Sequence, residues 1–307
     1  MARKNRNNKK KSVWMAMACL CLLGAVLCMV AVGCGLANAD RVESELEDLA
    51  NGTNVSSTSS SSSMVIPKVT IEPSSMTPTE DPDANMTPME KDIRFLEEQE
   101  IPIPEKEVDF AGLQENTNKD IYAWIYVPDT QVDYPVLQHP TDNTHYLNYN
   151  IDGSKGYPGC IYTEDYNAKD FTDSNTVLYG HNMKNGTAFG SLHKFEDASF
   201  FEDTRYIYVY TEDRLLVYEI FAAYEFSNAH LLLGYDTKSE WGFSKYLEEV
   251  QEVRGMKCNR IEEIFPDEQD HIITLSTCVK GNSSKRYLVQ GVLLNEMELD
   301  EEVSSEE

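Results

Sequence analysis

The sequence predicts a mainly β protein, either a small closed barrel or a two-sheet sandwich, with helices on its N-terminal side and one helix inserted late. Three observations predict it. Beyond residue 120, eight short runs rich in Val, Ile, Leu, Tyr and Phe recur between Gly-, Pro-, Asn- and Asp-containing segments, the pattern of half-buried strands. Before that point the spacing of apolar residues is helical. Between the sixth and seventh runs it becomes helical once more.

Residues 88–99 and 107–116 have helical character, with Phe110 and Leu113 as apolar contacts three apart. The strand-like runs are 121–127, 132–137, 159–163, 176–180, 206–210, 215–226, 271–277 and 287–294. The inserted helix carries Phe243, Tyr246, Leu247, Val250 and Val253 on one face, and Thr237 to Glu240 offers a capping box before it. Closing eight strands into a barrel removes exposed edges. A sandwich produces the same alternation, so periodicity does not separate the two.

The chain ahead of these elements has a different composition. Residues 1–12 form a basic N-terminus, with Arg3, Lys4, Arg6, Lys9, Lys10 and Lys11 and no acid. Residues 13–36 are 24 in number and uncharged, enough for a bilayer core that needs about 20. Basic flanks favour the cytoplasmic side, which predicts a transmembrane anchor with the rest of the chain outside the cell. Ala37-Asn38-Ala39 resembles a signal-peptidase site and Gly33-Cys34 a lipoprotein site, but the apolar stretch exceeds the roughly 7 to 15 residues of a cleaved signal. An uncleaved anchor is the expectation. Residues 37–88 read as a flexible Ser/Thr/Pro-rich extracellular tether, although 40–49 could prolong the preceding helix. The folded domain is expected over 89–295, and 296–307, with seven acids in twelve residues, as a solvated acidic tail.

Composition limits the function. The formal net charge is −26; the first eleven residues contribute +6, leaving −32 on the remainder. Such a surface repels nucleic acid and anionic headgroups, so no nucleic-acid partner is expected. Of the seven cysteines, only Cys160, Cys258 and Cys278 lie beyond the apolar stretch. An odd number outside the cell leaves at least one thiol free. Cys160 and Cys258 either pair or stand as two separate buried thiols. No spacing resembles a zinc site, and neither metal nor cofactor is expected.

The free thiol has a context. His271-Ile-Ile-Thr-Leu-Ser-Thr-Cys278 and Arg286-Tyr-Leu-Val-Gln-Gly-Val-Leu-Leu294 are strand-like runs separated by a polar loop of seven residues, 279–285. If they pair as antiparallel neighbours, the facing ends lie about 5 Å apart, and a thiol shares one sheet end with a fixed cation. Upstream, Asn175-Thr-Val-Leu-Tyr-Gly-His181-Asn-Met-Lys-Asn-Gly-Thr-Ala-Phe-Gly-Ser-Leu192 ends another run on a Gly-His-Asn turn.

Residue types assign distinct chemistry. A thiol near pKa 8.5 is mostly protonated at neutral pH and attacks only as thiolate, which a neighbouring imidazolium or guanidinium favours. His181 moves protons near pH 7. Arg286 stays charged and suits a carbonyl oxygen or the oxyanion formed from it.

Leu-Tyr-Gly-His-Asn-Met, then Thr-Leu-Ser-Thr-Cys, then Arg, in that order, resembles the sortases, and more narrowly their class B branch, over about residues 101–294. Several expectations follow from the resemblance. The fold would be the eight-stranded sortase-type β-barrel with N-terminal helices and a helix inserted before the catalytic Cys strand. Cys278, His181 and Arg286 would be catalytic. Cys278 would attack the carbonyl of a threonine in the C-terminal sorting signal of a surface protein, and His181 would protonate the departing amine. A thioacyl enzyme would pass the protein to an amine of the cell wall, such as a peptidoglycan precursor, or, in a pilin-polymerising enzyme, to a pilin lysine. Tyr179 and Ser276, two residues before His181 and Cys278, share their strand faces and would contact substrate. Asn143 and Leu147 match a stretch lining the class B peptide groove, and the loop near 236–242 is expected to shape it. The other histidines, His139, His145, His193, His230 and His271, receive structural readings.

Other cysteine enzymes fit less well. A papain-like protease places Cys before His within a Cys-Gly-x-Cys-Trp type motif, and the other common wall-crosslinking transpeptidases carry a His-Gly-x-Cys type motif; Ser276-Thr277-Cys278 matches neither. A non-catalytic surface-binding module is the alternative from another class. It would tolerate Cys278→Ala.

Overall fold

The structure, a computed structural model, describes Arg41, Val42, Ser44, Leu46, Asp48, Leu49 and residues 86–295. The segments 1–12, 13–36 and 296–307, and most of 37–88, lie outside the described residues. Among the described residues no helix is long and apolar enough to cross a membrane.

Eight strands close into a barrel. They are β1 (Ile121–Tyr126), β2 (Asp133–Leu137), β3 (Ile161–Tyr162), β4 (Asn175–Tyr179), β5 (Tyr206–Tyr210), β6 (Leu215–Ser227), β8 (Ile272–Val279) and β9 (Asn282–Leu293). Their order is β5-β1-β2-β3-β4-β8-β9-β6, and β6 pairs back onto β5. The β2–β3 and β4–β8 pairs are parallel, so the barrel is mixed. Closure decides against the sandwich. The two-residue β7 (Asn259–Arg260) pairs with Ala222 and Ala223 of β6 beyond the last β5 pairing; two residues are too few to show a period in sequence.

Alternation sorts each strand into two faces. Leu178, Ile273, Leu275, Tyr287, Val289 and Leu293 join the larger buried cluster with Trp124, Val136 and Val209. Val177, Ile272, Leu288 and Val292 point to the opposite side and form a second cluster with Phe243, Tyr246, Leu247 and Val250. Those four come from the inserted helix, Glu240–Glu252. Its start differs from the capping box expected at Thr237. Ser239 is the cap, accepting from the Gly242 N–H at 3.1 Å, and glycine at N3 has no side chain to complete a box. The box occurs instead at helix Pro88–Glu98, between Thr87 and Glu90.

Between the inserted helix and the barrel wall runs a buried polar chain. Gln290 Nε2 donates to Tyr246 Oη at 2.7 Å and to Thr274 Oγ1 at 2.8 Å; Tyr224 Oη donates to Gln290 Oε1 at 2.8 Å. Thr274 Oγ1 donates to Asn175 Oδ1 at 2.8 Å. Four strands and one helix are thereby fixed in register. The helix covers only part of this outer face, and the uncovered remainder, toward the ends of β4 and β8, is where the cysteine emerges.

Candidate active site

Parallel pairing of β4 with β8 sets Tyr179 beside Ser276. Three further hydrogen bonds carry the alignment past the strand ends: Gly180 N–H to Ser276 O at 3.2 Å, Thr277 Oγ1 to Gly180 O at 2.8 Å, and Asn182 Nδ2 to Cys278 O at 2.7 Å. The turn bearing His181 is stitched to the strand bearing Cys278. Position 180 excludes a side chain, since a Cβ there would lie 2.5 Å from Ile161 Cδ1 and 2.7 Å from the Phe189 ring.

On the other side of β8, Cys278 and Arg286 are register partners. The seven-residue loop expected between them is shorter. Val279 pairs with Asn282, the turn is Lys280-Gly281 with Gly281 at φ 76°, and Ser283 to Lys285 bulge on β9 between the two pairings. These strand ends project past the core and carry polar side chains, so no apolar alternation marks them.

Cys278 is exposed, whereas Cys160 is buried, Cys258 is intermediate, and all three thiols are free. The question of a Cys160–Cys258 disulfide is thus answered: they do not pair. Burial pushes both of those thiols up in pKa, away from thiolate. Cys278, His181 and Arg286 line one groove of about 180 Å³. Among the described residues no hydrogen bond joins their side chains directly; backbone register brings them together. His181 Nε2 lies 2.9 Å from the Leu147 carbonyl, an acceptor only, so Nε2 carries a hydrogen there. Its ring packs 4.8 Å from that of Tyr157. Arg286 Nη1 donates to the Lys285 carbonyl at 3.1 Å and the Ser283 carbonyl at 3.3 Å.

Tyr179, Ser276 and Leu147 line the same groove. Asn143 lies outside that lining. Its amide exchanges hydrogen bonds with Asp165, Nδ2 to Oδ1 at 2.6 Å and Asp165 N–H to Oδ1 at 2.8 Å, tying two loops together. The segment 236–242 is also outside the lining; it is occupied in starting the inserted helix. The far wall comes from Phe226 to Leu231.

That wall includes His230, which sequence reasoning treated as structural. Its Nε2 stands 2.7 Å from Glu164 Oε2, and the Glu164 side chain is only 10% exposed. Burial pushes the Glu164 carboxyl up while His230 opposes the shift, and burial raises the Tyr179 phenol above its ordinary value. Neither His230 nor Glu164 sits in a motif that would have singled it out. Among the described residues no group of three or more His, Cys, Asp or Glu side chains could hold a metal ion.

Residues 125–294 match the family model described as the sortase domain. Sortase B of Listeria monocytogenes is 35% identical over 182 residues, 58% of this chain and 71% of that protein. Among solved structures, Clostridium perfringens sortase B superposes with a TM-score of 0.54 at 32% identity, over 60% of this chain and 100% of that one. A Staphylococcus aureus sortase B–substrate complex superposes with a TM-score of 0.53 at 26% identity, over 66% of this chain and 91% of that one.

Proposed function

Since the chain belongs to the sortase family and to its class B branch, we propose that it is a membrane-anchored cysteine transpeptidase that cleaves a C-terminal sorting signal after Thr and transfers the protein to an amine of the cell wall. The observation that carries this reading is the exposed thiol of Cys278, in register with Arg286 and sharing a groove with His181.

In the proposed reaction, the Cys278 thiolate adds to the threonine carbonyl. The resulting oxyanion is stabilised by the Arg286 guanidinium, whose charge is permanent and whose donors are planar. With the His181 Nε2 hydrogen engaged by the Leu147 carbonyl, Nδ1 is the nitrogen that gives a proton to the leaving amine and later takes one from the incoming amine. Collapse breaks the peptide bond and leaves a thioester on Cys278. The incoming amine then forms the new amide, its proton passes to His181 Nδ1, and the sulfur leaves as the Cys278 thiolate. Tyr179, Ser276 and Leu147 would contact the sorting peptide from the groove walls.

The anchor is supported by the 24 uncharged residues of 13–36 behind six positive charges, which would hold the catalytic domain outside the membrane on the tether of 37–88. The experiment incubates the protein with sorting-type pentapeptides and a panel of amines. Amide products from wild type, absent with Cys278→Ala of unchanged melting temperature, are expected. If Cys278→Ala forms the same products, the transpeptidase reading fails.

A further inference from the structure

The carbonyl of Cys278 faces two side chains, one of them a histidine outside the proposed catalytic trio. In a continuing parallel ladder this carbonyl would accept from a backbone N–H of β4, but β4 has already turned at Gly180. Asn182 Nδ2 takes the donor's place at 2.7 Å. His193 Nε2 lies 3.1 Å from the same carbonyl and 2.9 Å from Asn182 Nδ2. Behind the ring, Nδ1 is 2.7 Å from Glu196 Oε1, and the ring stacks on Tyr287 with centroids 4.9 Å apart.

Those partners fix the tautomer. A carboxylate only accepts, so Nδ1 carries a hydrogen. Although burial acts to raise it, hydrogen bonds from Lys257 and His193 hold the Glu196 carboxyl below the usual carboxylate range, which keeps it an acceptor. With Nδ1 committed to Glu196, Nε2 faces the Asn182 amide and the Cys278 carbonyl together. The charged and titratable groups facing this assembly are Glu196 on the same 3-10 helix, Lys257 ahead of β7 at 2.8 Å from Glu196 and 3.7 Å from Glu225 of β6, Tyr287 of β9, and Cys278 itself.

We propose that His193, oriented by Glu196, is a positioning residue that clamps the backbone of Cys278 to the Asn182 turn and so fixes the nucleophile relative to His181. The inference rests on the transpeptidase reading for its consequence, but the contact is independent of it. A carboxylate–imidazole pair aimed at a backbone carbonyl is unnecessary for the fold alone, because Asn182 already satisfies that carbonyl. What the pair adds is a rigid second hold on the Asn182 amide and the carbonyl it meets.

The test compares wild type with His193→Phe, which keeps the stack on Tyr287 but loses both nitrogens, and His193→Gln, which keeps a donor. Two quantities are read: the rate of Cys278 alkylation by iodoacetamide from pH 5 to 9, which needs no sorting peptide, and the kcat and KM of peptide acylation. His193→Phe is expected to slow alkylation about tenfold at neutral pH and to lower kcat between about ten- and a hundredfold, the scale of a small misplacement at a reacting centre, with KM within about twofold. His193→Gln is expected to recover both rates to within about threefold. Wild-type alkylation by His193→Phe, or equal losses in the two variants, overturns the inference. Failure of the transpeptidase reading looks different: no chain forms an acyl adduct, while the alkylation difference persists.

Discussion

Arg286 is the residue whose chemistry can be separated most cleanly from its packing. Its guanidinium leans on the carbonyls of Ser283 and Lys285, and its strand position is fixed by pairing with both Cys278 and Phe226. Arg286→Gln keeps the strand and removes the charge. The expected outcome is a kcat lowered by about 10² to 10³ at nearly unchanged KM, read in steady-state acylation. Arg286→Lys should recover only part of this, because an ammonium is a point charge without the planar fork. At this scale the sequence was most informative where residues fall within one motif. Gly180, His181 and Cys278 stand in contiguous runs whose strand character is plain. Asn182 was visible inside the same run but without a role, because the need for its amide arises only when β4 turns away from β8. His193 and Glu196 form a His-x-x-Glu spacing that points to nothing until the 3-10 helix brings it against Cys278.

Among the elements, the helix Pro88–Glu98 is bound to the barrel through a buried acid. Asp92 accepts from Arg214 Nε at 2.7 Å and Nη2 at 2.8 Å, from the Leu215 N–H at 3.0 Å, and from Asn295 Nδ2 at 2.7 Å. Asp92→Ala leaves a largely buried guanidinium and a strand N–H without their acceptor. The expected destabilisation is about 3 to 5 kcal/mol in denaturant titration, with acylation in the folded fraction retained, since the site lies elsewhere on the barrel. A loss under about 1 kcal/mol would show that the helix is not held this way. The strands were legible because each buries one face, and alternation records that burial directly. The tight β8–β9 hairpin was not legible, because Asn282 to Ser284 are exposed and their pairing leaves no apolar trace. The helix cap was misplaced by two residues for a similar reason: Thr237 and Ser239 are equivalent as caps in sequence, and only the chain's path chooses Ser239.

For the whole molecule, the eight strands and the inserted helix were predictable as a class, yet barrel closure required family resemblance, since the β5–β6 pairing that closes it is only one hairpin among several. Charge sets its acid response. Glu90, Asp142 and Asp197 are held below the usual carboxylate range by the Thr87 N–H, the Thr144 N–H and the Ser199 hydroxyl respectively. Carboxyls depressed in the folded state contribute stability that is fully present above their unfolded pKa, about 3.9 to 4.3, and is lost as pH falls through the folded values. Melting temperature should therefore fall as pH drops below about 4, and Glu90→Gln, which removes one of these titrating carboxyls, should flatten part of that fall; a melting temperature independent of pH there would contradict the assignment.

The measurement closest to the central claim is the location of a covalent intermediate. The protein is mixed with a sorting-type pentapeptide library, quenched in acid within the first turnover, and mapped by peptide mass. One acyl group on Cys278, with Cys160 and Cys258 unmodified and Cys278→Ala carrying none, is the predicted result. An adduct on another residue, or none at Cys278 with a peptide that the protein cleaves, would contradict the account.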